Sequence, residues 1–178
     1  MTGSILEAAP APAPTVAAGV ATPKSGATFL VCSGELDKLL VAFTMATAAA
    51  ASGMATTMFF TFWSLAALRQ PVRVRGKNLI ERMFGWMLPR GTAALPLSKM
   101  NFGGCGPRLI RWLMRRKNVA SLEEQMATAK ALGVRFLVCE TSMELMGFRR
   151  EEMPSGVEYA GAATCVATAA RSEISLVV

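Results

Sequence analysis

The chain has 178 residues, a mass of 18.9 kDa and 52% hydrophobic residues, enough for one domain of ordinary size with a substantial core, plus a tail. It contains no histidine, which removes Ser–His and Cys–His catalysis. Its four cysteines, Cys32, Cys105, Cys139 and Cys165, show none of the close pairings of a zinc site, so no metal or other cofactor is expected.

The formal charge of +7 is concentrated rather than spread. Between Arg69 and Lys117 twelve Lys or Arg stand against one acid, Glu81. A cationic regional surface is expected there, of the kind that attracts nucleic acid, anionic lipid or an acidic protein.

Residues 1–26 are dominated by Ala, Pro, Thr and Gly and read as a disordered or polyproline-like tail. No basic segment followed by a continuous apolar run marks a secretory signal, so a cytoplasmic protein with reduced thiols is expected. Ala27–Cys32 is the first predicted strand, and Ser33–Asp37 a turn into an acidic helix start. Leu36, Leu39, Leu40 and Phe43 then recur at helical spacing, predicting a helix to about Ser52. Gly53 ends it, and Ala55–Phe62 is the second predicted strand.

Leu39–Trp63 holds 25 residues without a charge, long enough to cross a bilayer. Against a span stand the helix-ending Ser52-Gly53 and the change from Ala-rich to β-branched and aromatic composition, which together predict helix, turn and strand. Trp63–Leu68 is compatible with a short helix before Pro71. Val72–Gly91 is a basic insertion carrying Met83, Phe84, Trp86, Met87 and Leu88. Leu95–Pro107, LPLSKMNFGGCGP, is expected to be a glycine-rich loop that leaves Cys105 exposed on a permissive backbone. GGCGP matches neither a dinucleotide fingerprint nor a P-loop, which disfavours nucleotide chemistry.

A helix is predicted from Arg108 to Lys117, with Leu109, Trp112 and Leu113 inward and Arg108, Arg111, Arg115 and Arg116 outward. Ser121-Leu122-Glu123-Glu124 is a capping box opening a further helix that Gly133 terminates. Val134, Phe136, Leu137 and Val138 form a strand expected to be buried on both faces. Cys139 closes that strand, and Thr141 and Ser142 are expected to cap the helix after it. Unpaired backbone N–H groups and the positive end of the helix dipole would favour thiolate over thiol at such a position. The alternative is a small core residue. A segment from Val157, a small-residue helix Gly161–Ala170 containing Cys165 and a last strand Ile174–Val178 complete the chain. Strands alternating with helices indicate an α/β domain over residues 27–178, with a mainly parallel sheet of about five strands flanked by helices. Its basic insertion covers about 69–117.

Four stretches, FFTFWSLAALR, LPLSKMNFGGCGP, SLEEQMATAKALGVRFLVCETSMELMGF and GVEYAGAAT, make residues 27–178 resemble the DsrE/DsrF-like sulfur-carrier family, in particular its larger DsrE-type, peroxiredoxin-like branch. The block Cys139-x-x-Ser142-Met143 followed by Met146-Gly147 is the most specific part. The resemblance implies a three-layer α/β sandwich, a homo-oligomer, and a cysteine that carries sulfane sulfur as a persulfide. It also implies exchange with TusA-type carriers or rhodanese-like donors. Cys139 takes the position of that cysteine, with Thr141, Ser142 and Met143 around it. Cys105 is a candidate second thiol, and Cys32 and Cys165 are structural by default. Two other functions stay open: a dithiol redox protein pairing Cys139 with Cys105, and a noncatalytic, membrane-associated or partner-binding module docking through its cationic segment.

Overall fold

The computed structural model describes residues 24–178 apart from Arg73 and Arg75, so the tail expected at residues 1–26 lies almost wholly outside the described residues. Five parallel strands run in the order β4-β3-β2-β1-β5: β1 (Lys24–Val31), β2 (Met54–Phe60), β3 (Arg135–Cys139), β4 (Glu158–Ala160) and β5 (Ser172–Val177). Seven helices connect and cover them: α1 (Leu36–Ala51), α2 (Leu65–Leu68), α3 (Leu79–Met87), α4 (Cys105–Arg116), α5 (Leu122–Ala131), α6 (Glu140–Leu145) and α7 (Ala162–Ala169). The mainly parallel, helix-flanked sheet of about five strands expected from the alternating pattern is the observed architecture.

Side-chain alternation along the strands separates two apolar clusters. Phe29 and Val31 of β1, Met58 and Phe60 of β2, and Phe136 and Val138 of β3 face the main core with Leu39 and Phe43 of α1 and Ala129 of α5. Phe59, Leu137 and Cys139 point to the other face, where they meet Ala160 of β4 and Cys165 of α7. Phe43, Phe60 and Phe136 form a closed aromatic triangle with centroids 5.9, 5.7 and 5.5 Å apart, two of its contacts edge-to-face. It locks α1 onto β2 and β3.

The uncharged run Leu39–Trp63 is helix α1, a Ser52-Gly53 turn with Gly53 at φ 82°, and strand β2. Among the described residues no helix is long and apolar enough to cross a membrane. Strand β2 ends at Phe60, two residues earlier than predicted, because Phe62 takes a left-handed conformation (φ 48°) that turns the chain out of the sheet. The buried Ser64 hydroxyl then donates to Val31 O at 2.7 Å and fastens that turn to β1. The capping box of α5 forms as expected: Ser121 Oγ accepts from Glu124 N–H, and Glu124 carboxylate accepts from Ser121 N–H at 2.7 Å.

Four expectations about the basic segment are corrected. Cys105 does not sit in a loose loop but is the first residue of α4. Gly103 (φ 61°) and Gly104 (φ 95°) make the turn before it, and a Cβ on Gly106 would lie 1.9 Å from Met100 O, so these glycines build a tight entry to the helix. Leu109, Trp112 and Leu113 are not inward but 60, 47 and 37% exposed. Helix α4 is tied down instead by Arg111, whose Nη2 donates to Thr92 O at 2.9 Å and Leu95 O at 3.3 Å, so Arg111 is not outward with Arg108, Arg115 and Arg116. Part of the charge run is also interior: Arg69 and Glu152, 3 and 1% exposed, pair at 2.9 Å.

Phe60→Ala would open a cavity at the centre of the aromatic triangle. Chemical denaturation is expected to show a loss of about 3–5 kcal/mol.

Candidate functional site

Two cysteines stand at the carboxyl ends of parallel strands, where sites in such sheets gather, and their surroundings differ. Cys32 follows β1, but the chain runs on through Ser33-Gly34-Glu35 before α1 begins, so no helix starts on its thiol. It lies half-buried in an open apolar cavity of about 550 Å³ with Trp63, Pro96 and Val178, and burial pushes its pKa up. Cys139 ends β3 and is itself the residue at which α6 begins. Thr141 and Ser142 are therefore inside the first turn of α6 rather than caps before it, which corrects their expected role. The turn folds back over the strand end, and that brings both residues to the sulfur.

Cys139 is only 7% exposed, and burial pushes its pKa up. Donors outweigh that effect. The Ser142 hydroxyl donates to Sγ at 3.4 Å, and the Ser142 and Thr141 N–H groups and the Thr61 hydroxyl act in the same direction, so the thiol ends below its ordinary range. Thr61 and Ser142 hydroxyls are 2.8 Å apart.

Thr61 was not singled out by the sequence, yet its position follows from sheet register. Phe60 pairs with Val138, so Thr61 is one step beyond and level with Cys139, on the same face as Phe59 and Leu137. A threonine one residue past the end of the neighbouring parallel strand was the available signal. Met143 is buried in the main core and anchors α6 from the other side. Thr141 is exposed, so its contribution is the N–H and not the side chain.

Cys165 of α7 packs in the same apolar cluster as Cys139, and burial first, then the neighbouring thiols, push its pKa up. Cys105 is exposed and belongs to a separate cavity of about 480 Å³ with Met100, Phe102 and Leu109. All four cysteines are free. The sequence-predicted residues therefore divide into Cys139 with Ser142 and Thr141 at one place, and Cys105 with Arg108, Arg115 and Arg116 along α4 at another. Among the described residues no group of His, Cys, Asp or Glu is arranged to hold a metal ion.

Residues 24–177, the whole sheet and its helices, match the DsrE/DsrF/DrsH-like family. The chain belongs to that family. Among its relatives, the uncharacterized protein YrkE of Bacillus subtilis is 38% identical over 84% of this chain and 94% of its own length. The sulfur carrier protein DsrE2 of Allochromatium vinosum is 30% identical over 83% of this chain and 94% of its own. The crystal structure of the YchN protein from E. coli shares the fold, with a TM-score of 0.52 at 11% identity over 86% of this chain and 99% of that one.

The depressed Cys139 pKa fixes a pH dependence. Between the folded pKa and the unfolded value of about 8.5, the native state binds fewer protons, so this thiol's stabilising contribution grows as pH rises and is lost as pH falls through the folded pKa. Alkylation of the Cys139 peptide, followed by mass spectrometry across pH, is expected to have its midpoint below about 8.5. Ser142→Ala should move that midpoint up and flatten the stability rise. An unchanged midpoint would mean that the hydroxyl does not stabilise the thiolate.

Proposed function

We propose that the protein is a sulfane-sulfur carrier in which Cys139 holds the sulfur as a persulfide. The observation that carries this reading is the Ser142 hydroxyl donating to Sγ, with Thr61 beside it and the first-turn N–H groups of α6 acting the same way, which favours a thiolate without any histidine. Membership of a family that includes a protein named as a sulfur carrier supports it.

The transfer needs no outside oxidant. Cys139 thiolate attacks the outer sulfur of a donor persulfide; a Cys139 S–S bond forms, the donor's S–S bond breaks, and the donor leaves as a thiolate. An acceptor thiolate then attacks that outer sulfur and Cys139 leaves as thiolate, regenerating the start. Proton and electron counts are unchanged over the cycle. Loading and release pass through the same in-line arrangement of partner sulfur, transferred sulfur and Sγ, so both need a partner thiol brought to the 7% exposed Cys139.

Donor and acceptor are proteins of the TusA or rhodanese type under this reading. Helix α4 offers them a surface, with Arg108, Arg115 and Arg116 exposed and free of any acid on the same helix. Arg111 is excluded from it by its bonds to the Thr92 and Leu95 carbonyls. Self-association is supported by β5, an edge strand with Ile174, Leu176 and Val177 exposed. A Cys139–Cys105 dithiol is the weaker reading, because the cysteine that packs with Cys139 is Cys165.

Exposure of the protein to a sulfane donor is expected to add one sulfur atom's mass, removable by reductant. Cys139→Ser should abolish loading, whereas Cys105→Ser should retain it. Loading of a folded Cys139→Ser variant at the parental rate would overturn the assignment. Reversing the charges of Arg115 and Arg116 should slow transfer to an acidic acceptor at low salt and have little effect at high salt, since exposed charges are screened over about 10 Å at 0.1 M.

A further inference from the structure

Among the described residues, Arg69, Lys77, Gly85, Arg90 and Glu152 line an open cavity of about 770 Å³ in which positive charge predominates. Arg69, Lys77, Arg82 and Arg90 face it with one carboxylate, Glu152. Both oxygens of that carboxylate are engaged: Oε2 accepts from Arg69 Nε at 2.9 Å, and Oε1 is ion-paired with Lys77. The remaining contacts of the cations are to neutral groups. Arg69 Nη1 donates to Gly85 O at 3.0 Å, and Arg90 Nε and Nη2 donate to the same carbonyl at 3.3 and 3.2 Å. The Phe148 ring lies 4.9 Å from the Arg69 guanidinium and 6.0 Å from the Lys77 ammonium.

A purely structural role accounts for Arg69 and Glu152, which pair in the interior and hold the insertion to the connection between α6 and β4. It leaves Lys77 unexplained. The Lys77 side chain is 7% exposed, and beyond its ion pair no well-formed hydrogen bond satisfies its N–H donors. An ammonium has three such donors, and one carboxylate cannot neutralise two buried cations. Burial of unmatched charge is costly unless an opposite charge completes the set. Arg82, exposed at the edge of the same cavity, adds a further cation without an ion pair among the described residues.

We propose that this cavity is an anion-binding site for a doubly charged tetrahedral oxyanion of the phosphate or sulfate type, held by Lys77, Arg82 and Arg90, with Arg69 and Glu152 fixing the floor. Arginine forks and a lysine ammonium suit that geometry. The volume exceeds what an inorganic ion fills, so the oxyanion is either free or the terminal group of a larger molecule. The site is independent of Cys139.

The test uses the full chain in a chloride buffer of constant ionic strength, titrated calorimetrically with inorganic phosphate, inorganic sulfate and a simple phosphomonoester. Saturable binding of phosphate or sulfate is expected, weakened at least tenfold by Arg82→Gln and by Lys77→Met, and unchanged in Cys139→Ser. Tighter binding of the monoester than of free phosphate assigns the larger ligand; equal or weaker binding assigns the free ion. Arg82 is exposed, so Arg82→Gln is expected to keep the parental unfolding temperature without ligand, and this keeps the test readable if Lys77→Met fails to fold. Absence of saturable binding by the parent, or equal affinity in a folded Arg82→Gln, would overturn the proposal.

Discussion

The contact on which the rest depends is the aromatic triangle of Phe43, Phe60 and Phe136. Each ring comes from a different element, and two belong to adjacent parallel strands, so their packing fixes β2 against β3 as well as α1 against both. A one-residue slip would turn Phe60 out of the main core and Phe59 into it. It would also move Thr61 away from Cys139. The chemistry at one face of the sheet is therefore set by apolar packing at the other.

That second face explains how a mostly buried thiol ionises more readily than a free one. Phe59, Leu137, Ala160 and Cys165 surround Cys139 with groups that offer no charge stabilisation, and burial alone would keep it protonated. The balance tips because the strand ends at the sulfur and the chain turns at once into α6, carrying the Thr141 and Ser142 N–H groups and the Ser142 hydroxyl back to it. Cys32 has a strand end and no such turn, and its pKa moves the other way. Strand-end position is thus insufficient; the number of intervening residues decides.

Much of this was legible in the chain. The β3 run, the Ser121 capping box, the Ser52-Gly53 break and the strand-end cysteine all appear as local patterns, and local patterns survive because neighbouring residues create them. What was not legible depends on distant residues. Leu109, Trp112 and Leu113 have the spacing of a buried stripe, but burial needs a partner, and α4 is instead held by Arg111 to the carbonyls of Thr92 and Leu95. Thr61 required the β2–β3 register. The charge run looked like a surface because its counter-ion, Glu152, lies 83 residues from Arg69 in sequence.

Under the sulfur-carrier reading the protein must release sulfur as well as accept it, and a lowered Cys139 pKa would bear on the two steps unequally. Nucleophilicity falls as thiol pKa falls, with a Brønsted slope of about 0.4–0.5, while a low-pKa thiolate is the better leaving group. The donors from Ser142, Thr61 and Thr141 therefore keep more of the unloaded thiol ionised but make each thiolate a milder attacker. They stabilise the departing Cys139 thiolate when an acceptor of ordinary pKa takes the sulfur. Burial acts on both steps alike, since loading and release pass through the same line of three sulfurs at the end of β3. Under that reading the hydrogen-bond donors favour delivery, and both steps depend on a partner that docks closely enough to bring its sulfur to the end of β3.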